Sequence, residues 1–194
     1  MLAIICARGG SKRLPNKNTR LYAGVPSLAR VIRAAKNAKY ISSICVDSDD
    51  TLILDLARDE GVRVQNREKH LAEDDTPRIL ALRAAVESYQ EASGATINED
   101  DYICCLQANS PEITANNIDD CIRFARQNAL NEVATVGLDF IQNAAIRIVR
   151  KRSLWAPYWS THFGIVVVDV LDVHELEDAL LVDSRLKERL TRTS

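Results

Sequence analysis

No apolar run in this 194-residue chain approaches the roughly 18 residues that a membrane-crossing helix needs, so no span is expected. The apolar stretch 1–6 is too short for a secretory leader and runs straight into Arg8 and Lys12; the expected location is the cytoplasm. A charge bias is missing as well. Twenty-five Lys and Arg against 27 Asp and Glu leave a net charge of −2, which excludes the broad basic field of a nucleic-acid or anionic-membrane binder. Cys-x-x-Cys pairs are absent, and no histidine stands at zinc-ligand spacing from a cysteine. Cys6, Cys45, Cys104 and Cys105 lie in apolar runs and Cys121 on an expected helix, so all five read as reduced thiols packed like small hydrophobes. With only seven glycines and five prolines the chain has no low-complexity tract or long linker, and 1–194 reads as one domain able to bury its own core. Two phosphate signatures are also missing: no Gly-x-x-x-x-Gly-Lys-Ser/Thr occurs, and no Gly-x-Gly-x-x-Gly opens a helix.

What remains is a regular alternation. Strands are expected at 1–6, 41–46, 62–64, 101–106, 132–136, 145–149 and 164–170, and helices at 27–37, 51–60, 76–90, 115–127 and 175–189. The segments 92–100 and 150–162 read as extended loops. This order predicts an α/β protein, a three-layer α/β/α arrangement with a Rossmann-like, mostly parallel sheet. Ligands of such sheets bind beyond the carboxyl ends of the strands. The unusual polar clusters 8–18, 47–50, 107–110 and 169–172 all fall at such ends.

The cluster after the first strand is the richest. Ala7-Arg8-Gly9-Gly10-Ser11-Lys12-Arg13-Leu14-Pro15-Asn16-Lys17-Asn18 places four cations around two adjacent glycines. Backbone N–H groups freed by glycine, set beside Arg and Lys, suit a polyphosphate. A solvated basic turn is the other reading of the same residues.

The segment resembles the N-terminal signature of the acylneuraminate and 3-deoxy-manno-octulosonate cytidylyltransferases, Ala-Arg-x-x-Ser-Lys/Arg-x-Leu-Pro-x-Lys-Asn, at every fixed position. Further islands resemble the same family. Leu71-Ala72-Glu73-Asp74, preceded by Arg67, is similar to its cytosine-recognising loop, and Leu106-Gln107-Ala108-Asn109-Ser110-Pro111 to its Leu-Gln-Pro-Thr-Ser-Pro segment. Asp172-Val173-His174 is similar to its Asp-Ile-Asp metal segment, with His174 in place of the second aspartate. The acceptor half is compressed, since Asp172 follows only eight residues after Gly164.

The resemblance implies a fold of the nucleotide-diphospho-sugar transferase type and transfer of CMP from CTP to an acidic 2-keto-3-deoxy sugar. It implies Arg8 and Lys17 on the phosphates, with Ala7, Gly9, Gly10 and Ser11 as their cradle. Asn18, Arg67 and Ala72 would contact the nucleoside, and Gln107 the sugar or nucleotide. Asp172, with Asp169 as a recruit, would hold Mg²⁺. It implies a homodimer and, in cells, a role in cell-surface polysaccharide synthesis. Two alternatives stand beside it: a nucleotidyltransferase for another base or acceptor, and a non-catalytic nucleotide-binding relative. His70 reads as a surface residue and His162 and His174 as hydrogen-bonded structural ones. The aromatic cluster 155–159 suits a sugar pocket or a subunit interface.

Overall fold

A computed structural model describes residues 1–157 and 160–193. Its strands are β1 (Leu2–Cys6), β2 (Leu21–Tyr22), β3 (Val25–Pro26), β4 (Ser43–Ser48), β5 (Arg63–Asn66), β6 (Tyr102–Gln107), β7 (Glu132–Val136), β8 (Gln142–Arg150) and β9 (Phe163–Val167). The helices are α1 (Ser27–Asn37), α2 (Thr51–Asp59), α3 (Arg78–Ser93), α4 (Ala115–Gln127), α5 (Lys151–Trp155) and α6 (Leu176–Thr193). Seven strands form one sheet in the order β5-β4-β1-β6-β8-β7-β9. Neighbours pair in parallel except β8, which runs antiparallel to both β6 and β7. From β1 the chain winds outward through β4 to β5 and then returns to place β6 on the other flank of β1. That reversal opens a crevice at the carboxyl ends of β1, β4 and β6.

Both faces of the sheet are covered because its strands are apolar on both sides. Ala3, Ile5, Cys104, Ile146 and Ile148 pack on one face against Leu28 and Ile32 of α1, Ile53 of α2 and Ile118 and Ile122 of α4. Ile4, Cys45, Ile103, Cys105 and Val149 pack on the other against Leu82 and Val86 of α3 and Leu154 of α5. A third, smaller cluster joins Leu14 of the basic loop and Tyr22 to Val173 and to Ala179, Val182 and Leu186 of α6. It anchors the chain around residue 172 to the first loop.

Several expectations need correction. The segment 150–162 is not wholly extended, since α5 begins directly after β8. Strand β9 stops at Val167; beyond it the Asn143 amide donates to the carbonyls of Val168 and Val170 at 3.0 and 3.3 Å, replacing ladder partners. The hairpin β2–β3 was not foreseen, because one of its two turn residues is Ala23 at φ 45°, a conformation that glycine (here Gly24, φ 79°) usually supplies. The Ala23 N–H donates to Asp183 of α6 at 2.7 Å, which holds the turn. Tyr158 and Trp159 of the aromatic cluster lie outside the described residues; Trp155 ends α5.

The Tyr22 ring is fully buried, yet its hydroxyl has no hydrogen-bond partner among the described residues. An unsatisfied buried hydroxyl is a net cost. Tyr22→Phe is therefore expected to raise stability by about 1 kcal/mol, read as an upward shift of the urea midpoint. A lower midpoint would show that the hydroxyl is satisfied in solution.

Candidate active site

The basic loop leaves β1 under close control. The Ala7 N–H donates to the Asp47 carbonyl at 3.0 Å, and the Gly9 N–H to Asp49 Oδ1 at 3.0 Å. A Cβ on Gly9 would lie 2.5 Å from Asp50 Oδ2 and 2.8 Å from Asp50 Cβ, so any side chain there would push the loop off β4. Gly10 is exposed with nothing within 4 Å of its Cβ position, leaving its backbone open to a ligand. The Ser11 N–H turns back to the Gly9 carbonyl at 2.7 Å. Asn18 is buried; its amide donates to the Arg8 carbonyl at 3.0 Å, and its own carbonyl accepts from Leu28 at the start of α1. In this structure the Asn18 side chain braces the loop internally.

The cations of this loop divide into two groups. Arg8 pairs with Asp74 at 2.7 Å and donates to the Ala72 carbonyl at 3.3 Å, while Lys12 also pairs with Asp74. These contacts hold Asp74 well below the usual carboxylate range. The 72–74 segment therefore lies over the basic loop, and Ala72 presents its backbone to Arg8. Lys17 makes no hydrogen bond or close ion pair among the described residues. Its ammonium is pushed down by burial and by the neighbouring charges of Arg8, Arg13 and Arg78, with Asp172 acting the other way.

Arg67 does not face the crevice. Its Nε donates to Asp47 Oδ2 at 2.6 Å and a terminal nitrogen to the Asp47 carbonyl at 3.0 Å, with both side chains buried. Burial pushes the Asp47 carboxyl up despite the guanidinium beside it. Arg67 is a strut joining the ends of β4 and β5, with its Nε and one terminal nitrogen both given to Asp47.

The acidic end of the site is built by two segments that zip together. Val173 N–H donates to the Asn109 carbonyl at 2.9 Å, the Asn109 amide donates to the Val173 carbonyl at 3.0 Å, and Leu171 N–H donates to Glu112 Oε2 at 3.1 Å. Between them the Ser110 hydroxyl donates to Asp172 Oδ1. Glu112 is buried and also takes Arg185 at 3.4 Å and Arg189 at 3.0 Å, tying α6 to the loop after β6. Burial raises the Asp172 carboxyl to about 6; the Ser110 hydrogen bond and the charges of Arg78 and Lys17 oppose the rise.

No contact among the described residues joins Asp169 to Asp172; Asp169 follows the end of β9, is 57% exposed and pairs with Arg185 at 3.6 Å. His174 does not complete a pair either. Its Nδ1 stands 3.5 Å from an Arg13 guanidinium nitrogen, and its N–H donates to Asp178 at 2.8 Å. Burial and the charges of Lys17 and Arg13 push the imidazole down, so it is a neutral group among cations. His70 pairs with Glu68 at the surface, and His162 sits in a backbone turn. Among the described residues no three His, Cys, Asp or Glu side chains gather as a metal cage. The Asp172 carboxylate, whose Oδ2 has no hydrogen bond among the described residues, still suits Mg²⁺, which commonly takes one or two carboxylates and completes its shell with phosphates and water.

From Cys6 and Gln107, at the carboxyl ends of β1 and β6, a cavity of about 570 Å³ runs along the α3 face of the sheet. Gln107 and Arg78 line it with Gln142, Glu132 and Arg147; Gln107 brings no other side-chain hydrogen bond among the described residues. Arg78 and Glu112 were missed in the sequence. The signal for Arg78 was a cation directly after Pro77 in a first helical turn, where the helix dipole disfavours positive charge. The signal for Glu112 was two arginines four apart, 185 and 189, on one helix face.

Known proteins resemble this chain in sequence and fold. A sequence profile of the family described as "Cytidylyltransferase" matches residues 2–184. The chain is 30% identical over 134 residues to N-acylneuraminate cytidylyltransferase A of Danio rerio, covering 69% of this chain and 29% of that protein. It is 35% identical over 116 residues to the pseudaminic acid cytidylyltransferase of a Campylobacter jejuni strain, covering 59% of this chain and 48% of that one. The chain thus spans less than half the length of these relatives. The solved structure of CMP:2-keto-3-deoxy-manno-octonic acid synthetase complexed with CTP superposes with a TM-score of 0.76 at 15% identity, over 97% of this chain and 98% of that one. A 4-diphosphocytidyl-2C-methyl-D-erythritol synthase follows at 0.68 and 16%, over 95% and 97%. With the family profile running from β1 into α6 across every segment of the crevice, this chain belongs to the cytidylyltransferase family.

Proposed function

We propose that residues 1–194 act as one catalytic domain that transfers CMP from CTP to the anomeric hydroxyl of an acidic 2-keto-3-deoxy sugar of the nonulosonate type, releasing pyrophosphate. The observation that carries this reading is the meeting of the basic loop, Lys17 and Asp172 at the carboxyl ends of β1 and β6, beside a cavity of sugar size. The hydroxyl oxygen bonds to the α-phosphorus as the bond to the bridging oxygen of pyrophosphate breaks, and the hydroxyl proton passes to solvent water. Such a displacement depends on in-line positioning and on neutralising phosphate charge. Arg8, Lys12 and Lys17 supply cations to the triphosphate, and the Gly10 backbone lies open beside them. Ala7, Gly9 and Ser11 keep the loop in shape, and Gln107 stands between nucleotide and cavity. Asp172 is the residue that would hold Mg²⁺, which when bound polarises the phosphate oxygens. A homodimer in the cytoplasm, feeding cell-surface polysaccharide synthesis, belongs to the same reading.

Pyrophosphate release tests it, with Mg²⁺ and each nucleoside triphosphate against a panel of nonulosonic and octulosonic acids. Activity with CTP alone is expected, and light scattering should give twice the monomer mass. Release from GTP or UTP would make it a different nucleotidyltransferase. Tight CTP binding without turnover would make it a non-catalytic relative.

The Asp74 contacts add a prediction. A triphosphate must displace this carboxylate from Arg8 and Lys12 before both can bind it. Asp74→Asn is expected to tighten CTP binding about two- to fivefold by calorimetry, the scale of exposed ion pairs. Weaker binding would mean that Asp74 supports the nucleotide directly.

A further inference from the structure

We propose that Arg78 is the residue that binds the acceptor's carboxylate and so restricts the enzyme to acidic sugars. The assignment rests on the cytidylyltransferase reading and adds a residue to it. Arg78 is exposed, makes no hydrogen bond or close ion pair among the described residues, and lines the cavity. It is the first residue of α3, a helix with no acidic side chain in its first turn, so helix dipole and guanidinium both favour an anion there. Its charge acts on Asp172, Lys17 and His174 alike, so this lining residue of the cavity is also a near neighbour of that group.

The other two arginines of the lining are placed differently. Arg83 keeps its charge but gives its Nε to the Leu154 carbonyl and is not among the charges acting on Asp172, and Arg147 is neutralised by Glu132 at 2.6 Å. Cys105 pairs with Arg147 across the β6–β8 ladder, so the Arg147–Glu132 pair lies two residues, about 7 Å, deeper than Gln107. A charge-neutral pair suits hydroxyl and amide groups; an unpaired guanidinium suits a carboxylate, to which it can donate two parallel hydrogen bonds. In a 2-keto acid sugar the carboxyl carbon is bonded to the anomeric carbon, so the carboxylate must lie close to the reacting oxygen. That requirement selects the cation beside Asp172 over the pair on the floor. The acceptor then enters with its carboxylate at Arg78 and its neutral tail toward Glu132 and Arg147.

The test compares acid acceptors with their carboxamides in the wild type, Arg78→Gln and Arg78→Lys, alongside calorimetric CTP binding. Arg78→Gln is expected to raise KM for the acid roughly 10- to 100-fold and to abolish the preference for acid over carboxamide. CTP affinity should stay within about twofold, and Arg78→Lys should recover part of the loss. Glu132→Gln should change discrimination between acceptor tails while keeping the acid preference. A parallel loss of CTP affinity in Arg78→Gln would make Arg78 a phosphate cation and overturn the assignment, as would an unchanged KM for the acid. Inactivity of the wild type with every acid would instead overturn the underlying reading, and this assignment with it.

Discussion

Arg67→Met is expected to lower the unfolding free energy by about 3–5 kcal/mol, measured by urea unfolding at pH 7. Arg67 and Asp47 are 6% and 5% exposed, and the guanidinium makes two bonds to the one residue. Removing it leaves a carboxylate inside the protein with little beyond the weakly bonding Cys6 thiol, 3.9 Å away. Burial already pushes Asp47 up in the presence of Arg67; without the cation that push is unopposed. The sign with pH follows. A carboxyl whose folded pKa is raised is stabilising below its unfolded pKa and loses that contribution as pH rises toward the folded value. The deficit of Arg67→Met should therefore shrink on acidification, and Arg67→Met/Asp47→Asn should recover part of it at pH 7. A deficit under about 1 kcal/mol that ignores pH would show that water reaches Asp47 in solution. Because Asp47 also anchors the basic loop through its carbonyl, the variant should weaken nucleotide binding too.

The fate of Arg67 shows where sequence reading stops. The motif located the residue in the right loop, yet its partner depends on the pairing of β4 with β5, which sets Asp47 opposite Gln65 and Ser48 opposite Asn66. A register offset of 18 residues between strands has no local signature. Asp169 is a related case: it stands three positions before Asp172, yet beyond the end of β9 at Val167 its carboxylate pairs with Arg185. The basic loop was legible because its constraints are local. Gly9 has no room for a Cβ and Gly10 none to fear, and both follow a strand whose apolar run is unambiguous. The alternation of elements likewise gave a mostly parallel sheet, but nothing in the apolar pattern of β8 distinguishes its antiparallel direction.

Asp172→Asn is expected to reduce kcat roughly 10²- to 10³-fold while leaving CTP binding in the absence of metal nearly unchanged. The amide keeps the shape and can still accept from Ser110, but it carries no charge toward a divalent cation. The wild-type rate should rise with pH through about 6, because burial lifts the Asp172 carboxyl to that value and only its ionised form suits the metal. Ser110 opposes the rise by donating to the carboxylate, so Ser110→Ala should move this limb to higher pH and leave the plateau rate within reach of the wild type. The same shift must appear in the metal-free protein. Unfolded, Asp172 loses its proton at an ordinary carboxylate pKa; folded, it keeps the proton until about 6. Between those values the folded state binds more protons, so this group's contribution to stability is present at low pH and lost as pH rises through that window. Thermal melts of wild type and Asp172→Asn across that range should differ in slope accordingly. A rate limb that stays in place in Ser110→Ala would separate Asp172 from the pH dependence and leave the charge of the triphosphate as its source.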